Sequence, residues 1–100
     1  MDSLQHTPIA AGQTSQHREA VIDAVNQMFA EFALVYHNQY QKAFADKEKL
    51  MYAKRLWLSH LANYSPEQIL GAARRATHES EYLPTVRGVL KYLESGSGLP

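Results

Sequence analysis

Histidines are the residues of this chain that could most readily do chemistry, because imidazole binds metal ions and exchanges protons near neutral pH. The chain has five of them, but their spacing forms no HExxH motif or comparable metal-binding pattern. His6 and His17 lie in or beside a polar N-terminal stretch, and His37, His60 and His78 lie on three different predicted helices. We therefore expect solvent-exposed histidines and no metal site.

Carboxylate pairs are the next candidates for catalysis, since two carboxyl groups in different environments can act as acid and base. Glu79 and Glu81 are such a pair, but they flank a predicted helix end among polar residues, which favours solvated charges. The sequence has no cysteine, no GxSxG motif, no P-loop and no GxGxxG motif. These observations predict that the chain is not an enzyme and has no cofactor and no small-molecule substrate.

The spacing of the apolar residues predicts the helices that must position any functional side chain. The first helix has an apolar stripe that runs from Val21 to Tyr40, with Ser15 as its N-cap. Asp46 is placed to cap a second helix, whose stripe includes Trp57. Most aromatic residues fall on these two stripes, so we expect them to be core residues.

Two further helix starts are marked by their residue types. The segment Ser65-Pro66-Glu67-Gln68 has the residues of a capping box with proline at the first helical position, so a third helix is predicted from Pro66 to near Ser80. Pro84 disfavours helical dihedrals at Leu83, and Thr85 can cap a short fourth helix. The core face of the third helix is small, which allows a close neighbour, and consists of Ile69, Ala72, Ala73 and Ala76.

Together these elements predict an all-α fold, a compact bundle of three main helices plus a short fourth helix. Residues 1–16 have no sustained period and are predicted to form a flexible N-terminal leader. Residues 17–94 form the helical domain, and residues 95–100 have the composition of a C-terminal linker, which indicates a fragment of a longer protein. No signal sequence and no stretch near the roughly 18 apolar residues of a membrane span occurs, so a cytoplasmic location without membrane contact is expected.

Charge is balanced over the whole chain, with ten lysines and arginines against ten aspartates and glutamates. No global excess therefore draws the chain to nucleic acid or to an anionic membrane. The basic residues concentrate in the second half, where they outnumber the carboxylates only modestly. Tyr52 and Tyr92 lie off the apolar stripes and are therefore candidates for an exposed contact surface. The two helices that flank the Leu-Pro turn could display a partner-binding or DNA-binding surface, for which we predict Arg74, Arg75, Arg87, Lys91 and Tyr92.

Four segments, taken in order, resemble the N-terminal helical domain of the phage-type replication protein P family of helicase loaders. The resemblance covers roughly residues 25–94. Its most specific part is the ordered set of Trp57, Ala72-Ala73 and Tyr82-Leu83-Pro84. The four segments are Met28-Phe-Ala-Glu-Phe32, Ala53-Lys-Arg-Leu-Trp57, Ser65-Pro-Glu-Gln-Ile-Leu-Gly-Ala-Ala-Arg-Arg75 and Glu79-Ser-Glu-Tyr-Leu-Pro-Thr85.

The resemblance implies an accessory protein of DNA replication that contacts the bacterial replicative helicase, or a replication initiator, and carries no nucleotide-hydrolysing site. It also implies that Trp57 is the central core aromatic residue and that Leu83 and Pro84 set the fourth helix against the third. Two alternatives stay open at this point. One is a small DNA-binding helical module that uses the basic face of helices two to four, and the other is a helical interaction domain of an unrelated pathway.

Overall fold

The computed structural model describes the backbone of residues 2–97 and the side chains of residues 15–95. The described part contains α-helices and no strand, so the prediction of an all-α bundle is confirmed. The fourth helix is the shortest, as expected. The helices are α1 (Asp2–Ala43), α2 (Lys47–Leu61), α3 (Pro66–Glu79) and α4 (Val86–Ser97).

Two predicted boundaries differ from the observed helices. Ser15 lies inside α1 and therefore does not cap it, because the helix begins at Asp2. The backbone of residues 2–16, most of the predicted flexible leader, is helical, whereas the side chains of residues 1–14 lie outside the described residues. At the other end, α4 continues to Ser97, so it includes the first residues of the predicted linker. Residues 98–100 lie outside the described residues.

The first helix changes direction at His37, whose backbone angles (φ 13°, ψ −77°) are not helical. A straight helix would separate residues 29 and 44 by about 22 Å along its axis. The ring centroids of Phe29 and Phe44 are instead 5.6 Å apart, so the chain after the kink folds back onto the aromatic residues before it. Neither proline nor glycine, which often mark such kinks, lies near His37, so the periodicity did not predict it.

The predicted caps of α2 and α3 are confirmed. The Asp46 carboxylate accepts a hydrogen bond from the backbone N–H of Glu48 at 3.0 Å. At the start of α3, the Gln68 backbone N–H donates to Ser65 Oγ at 3.1 Å, and the Ser65 N–H donates to Gln68 Oε1 at 2.9 Å. This reciprocal pair satisfies two backbone donors that the helix itself leaves unpaired.

The core is centred on aromatic rings from α1 and α2. Trp57 is 8% exposed, and its ring centroid lies 5.2 Å from that of Phe29 and 5.8 Å from that of Phe32, both nearly edge-on. Such pairs stabilise by about 0.5–1.5 kcal/mol beyond the burial of their area. The position of Trp57 in the core is confirmed. The buried residues are Val21, Ala24, Val25, Met28, Phe29, Phe32, Tyr36, Trp57, Leu61, Ile69, Ala72, Ala73, Ala76, Val89 and Leu93.

The third helix contacts both α1 and α4. The four residues predicted for its core face, Ile69, Ala72, Ala73 and Ala76, are all buried. Because alanine side chains are short, the α3 backbone can approach its neighbours closely, and α1 contacts α3 more extensively than it contacts α2.

Candidate functional site

The turn between α3 and α4 is fixed by two side chains of α1, one on each side of the kink. The Tyr36 hydroxyl donates a hydrogen bond to the Ser80 carbonyl at 2.7 Å. The Gln39 side chain donates from Nε2 to the Glu81 carbonyl at 3.0 Å and accepts from the Leu83 N–H at 2.7 Å. Burial raises the pKa of the Tyr36 hydroxyl, so the hydroxyl stays protonated, and therefore a donor, to higher pH than an exposed tyrosine. The kink at His37 thus gives Gln39 a position from which it holds the turn.

The start of α4 follows directly from this turn. Leu83 is partly buried against the core, and the Thr85 hydroxyl accepts a hydrogen bond from the Gly88 N–H at 3.1 Å. Thr85 therefore caps α4 as predicted. Val89 and Leu93 then bury the inner face of the helix, which leaves Arg87 and Lys91 exposed.

Of the five residues predicted to form the binding surface, Arg74 is directed toward α1. Its Nη2 and Nε atoms donate to the Glu31 carboxylate at 2.8 and 3.1 Å, a two-point pairing of guanidinium and carboxylate. Gln27 donates to the same carboxylate at 3.2 Å. The hydrogen bond from Arg74 is the main reason that the pKa of the Glu31 carboxyl lies below its ordinary value, and partial burial opposes it. The charge of Arg74 is therefore already paired within the chain.

Arg75 and Tyr92 are brought together, as predicted. The Arg75 guanidinium carbon lies 5.3 Å from the centroid of the Tyr92 ring, within the range of cation–π attraction. Both residues line an open groove of about 450 Å³ between α3 and α4. Tyr92, a candidate for an exposed contact surface, is half-buried and packs against the core, so only part of its ring is available. The other lining residues are Glu67, Gln68, Gly71, Ala72 and Leu93.

Arg87 and Lys91 occupy a different place. They lie one helical turn apart on α4 and line a second depression of about 500 Å³, together with Glu94. The structure therefore distributes the five predicted residues over three positions: Arg74 against α1, Arg75 with Tyr92 in the α3–α4 groove, and Arg87 with Lys91 on the outer side of α4.

Several exposed apolar side chains were not predicted from the sequence. Tyr52, a candidate for an exposed contact surface, is 69% exposed, and Met51 and Leu56 beside it are exposed as well. All three lie off the stripe of α2, and this signal could have identified them. The same holds for Leu34 and Val35, which lie off the stripe of α1. Tyr82 in the α3–α4 turn is a further exposed ring.

The described side chains include His17, His37, His60 and His78, all of which are exposed. His17 Nε2 lies 2.8 Å from the Ala62 carbonyl oxygen, a contact that joins α1 to the end of α2. Over residues 15–95, no group of three or more histidine, aspartate or glutamate side chains is placed to hold a metal ion. His6 lies outside the described side chains.

The described helices include none with the length and apolar character needed to cross a membrane. No protein-family model, no curated protein and no solved structure matches this chain.

Proposed function

We propose that this chain is an accessory module of DNA replication, of the helicase-loader type, which acts by contact with a bacterial replicative helicase or a replication initiator. The resemblance over roughly residues 25–94 supports this proposal, and its most specific residues occupy defined positions in the fold. Trp57 lies in the aromatic core, Ala72 and Ala73 lie where α3 meets its neighbours, and Leu83 lies in the turn that directs α4. A protein with this role works in the cytoplasm.

The pairing of Arg75 with Tyr92 is the observation on which the proposed contact rests. Arginine and tyrosine are enriched among the residues that dominate protein–protein binding energy, especially beside a depression that a partner can fill. Tyr92 is held by core packing, and its ring orients the Arg75 guanidinium, so little side-chain freedom is lost on binding. Arg75 forms no ion pair with a described carboxylate, which leaves its charge for a partner.

The charge distribution supports protein contact over DNA contact. A DNA-binding face of this size needs several cations whose charges are free to meet phosphates. Arg74 is neutralised by Glu31, and Glu94 lines the same depression as Arg87 and Lys91. DNA binding through the basic face of α2 to α4 therefore remains the weaker of the two proposals.

Isothermal titration calorimetry of the whole chain against a purified bacterial replicative helicase, and separately against an initiator, tests the proposal. We expect binding to one of them, and we expect Arg75→Glu to weaken it about tenfold or more, because it reverses the charge and leaves Tyr92 packed. A matched control is Lys49→Glu, which makes the same charge change at an exposed position on α2.

Equal weakening by Arg75→Glu and by Lys49→Glu would contradict the assignment of the contact to the α3–α4 groove. Absence of binding to both proteins would contradict the loader role. In that case a DNA titration at increasing salt decides the alternative, since affinity that falls steeply with salt and is reduced by Arg87→Ala with Lys91→Ala would favour the DNA-binding module.

A further inference from the structure

A second surface lies along the interface of α1 and α2, away from the α3–α4 groove. Two depressions of about 400 and 580 Å³ adjoin there, since both are lined by Arg55 and Leu58. The combined surface extends from Met51 on α2 to Asn63, two residues beyond the end of that helix, about 18 Å at the rise of an α-helix. We refer to it as the α1–α2 groove. Its length corresponds to about three turns of a helix lying in it.

The floor of the α1–α2 groove is apolar. Val25 is buried, Ile22 and Leu58 are half-buried, and Met51 is 57% exposed. Methionine at such a position adapts its shape to different apolar partners. Among the described lining residues the imidazole of His17 is the one ring, and no phenylalanine, tyrosine or tryptophan is present, so the groove offers little ring surface on which the bases of a single-stranded nucleic acid would stack.

The rim of the α1–α2 groove is basic. Arg18, Lys54 and Arg55 line it, and the described lining residues include no carboxylate. None of these three cations forms an ion pair among the described residues, although Lys54 lies over the Phe29 ring at 5.8 Å. The formal net charge of the whole chain is zero, so the positive charge around this apolar floor belongs to the groove and not to the chain as a whole.

We propose that the α1–α2 groove binds an acidic amphipathic helix of a partner protein. Its apolar residues, spaced three and four apart, cover Ile22, Met51 and Leu58, and its aspartates and glutamates meet Arg18, Lys54 and Arg55. This is the helix-in-groove mode of recognition, in which apolar anchors supply affinity and flanking charges supply specificity.

The charge of the groove also distinguishes this occupant from a second copy of the chain. The exposed apolar pair on the outer face of α2, Tyr52 and Leu56, lies beside Lys49 and Arg55 on the same helix. If a second copy docked through that face, its Lys49 and Arg55 would approach the positive charges of the groove rim, and like charges would repel. The proposal does not depend on the replication role, because it rests on another surface and names its ligand by chemistry alone.

The experiment uses the whole chain and a fluorescein-labelled helical peptide of about 14 residues, with leucines on one face and glutamates on the other. A twin peptide has lysine in place of every glutamate. We expect fluorescence anisotropy to show saturable binding of the glutamate peptide, and binding of the lysine peptide at least about tenfold weaker.

Two variants locate the binding. The double variant Arg18→Glu, Arg55→Glu is expected to bind the glutamate peptide about tenfold or more weakly than the wild type does. The difference in affinity between the glutamate peptide and the lysine peptide should also become smaller. Met51→Ser is expected to weaken both peptides by a similar factor, because it removes apolar contact without changing charge. Lys49→Glu and Leu56→Ala, on the other face of α2, are matched controls that should leave binding within about twofold. Circular dichroism of each variant confirms that it is folded.

Failure of the glutamate peptide to bind, or equal binding by the wild-type chain and the Arg18→Glu, Arg55→Glu variant, overturns the proposal. So does sedimentation that shows a wild-type dimer dissociated by Met51→Ser, since the groove would then be an interface between copies. The proposal is also overturned if duplex DNA competes with the peptide and binds the double variant less tightly than the wild type, since the groove would then be a nucleic-acid site. Loss of helicase binding in the α3–α4 groove has no bearing on these results, so the two proposals fail separately.

Discussion

The two interfaces of α1 are built from side chains of different size. Against α2, α1 packs large rings, with Phe29 and Phe32 meeting Trp57. Against α3, it meets a helix whose buried face consists largely of small residues, among them Ala73 and Ala76. Backbones joined by rings are held apart, whereas backbones joined by alanines come close.

This difference explains where the molecule is open. Rings fill the centre of the α1–α2 interface, but toward the N-terminal end of the described part of α1 the smaller Ile22 and the flexible Met51 leave an apolar groove. The α1–α2 interface therefore includes both the large rings of the core and the open surface on which a partner can be accommodated.

The largest expected effect is on the ring-packed interface. Trp57→Ala should lower the free energy of unfolding by about 3–5 kcal/mol, because it removes the ring that both phenylalanines contact and leaves a cavity. Against a total of about 5–15 kcal/mol for a typical domain, this is a large share of the stability. Urea denaturation followed by circular dichroism measures it. Leu34→Ala, at a position 83% exposed, is the control and should change the value by less than about 0.5 kcal/mol.

The alanine-packed interface should respond to added volume. Ala73→Leu is expected to lower the free energy of unfolding by about 1–3 kcal/mol. The reason is that a buried alanine in a close contact between helices leaves no room for three more carbon atoms. The same denaturation experiment measures it. A value near zero would mean that α3 is not closely packed, and the comparison between the two interfaces would fail.

On the exposed side of α3, added volume should raise the free energy of unfolding and not lower it. Nothing lies within 4 Å of a Cβ placed on Gly71, which is exposed in the middle of the helix. Gly71→Ala should therefore stabilise by about 0.5–1 kcal/mol, since alanine loses less backbone freedom in a helix. Thermal melting shows the gain directly. Because Gly71 lines the α3–α4 groove, the same variant also tests whether the helicase or initiator tolerates a methyl group there.

The smallest expected effect concerns the ion pair between α1 and α3. The folded pKa of Glu31 is depressed by the hydrogen bond from Arg74, so the stabilisation is present above the unfolded pKa of about 4.3 and is lost as pH falls through the folded pKa. Wild type should thus be slightly more stable than Glu31→Gln at pH 7, and the difference should vanish at pH 2–3. Both side chains are partly exposed, so the effect is expected to be small and to shrink further in salt.

Parallel denaturation of the two proteins at pH 7 and at low pH isolates this pair from the other carboxylates. A difference that stays constant with pH would show that Glu31 stabilises by packing and not by charge. Gln27→Ala, which removes only the weaker hydrogen bond to Glu31, should lie between wild type and Glu31→Gln.

The sequence determined the features that depend on neighbours within about one helical turn. Asp46 and the capping box of Ser65 and Gln68 were predictable because their hydrogen bonds join residues two or three apart. The buried faces of α2, α3 and α4 followed from a period of three to four residues. The core position of Trp57 followed in the same way.

The tertiary structure alone decided how the helices meet. Arg74 and Arg75 are adjacent in sequence, but successive residues on a helix point about 100° apart, so one meets Glu31 and the other meets Tyr92. The contact that each arginine makes depends on a residue from another helix, and Glu31 is 43 positions from Arg74 in the sequence. The kink at His37 places Gln39 against the α3–α4 turn, and no nearby proline or glycine indicates this kink in the sequence.

The physical reason is the range of the interactions. Capping and periodicity act between residues that the helix itself holds a fixed distance apart, so their spacing can be counted along the chain. The α3–α4 groove and the α1–α2 groove depend on the distance and angle between helices, which all the core side chains set together. The sequence by itself therefore determined four helices and their buried faces, and only the packed structure decided which surface residues share a site.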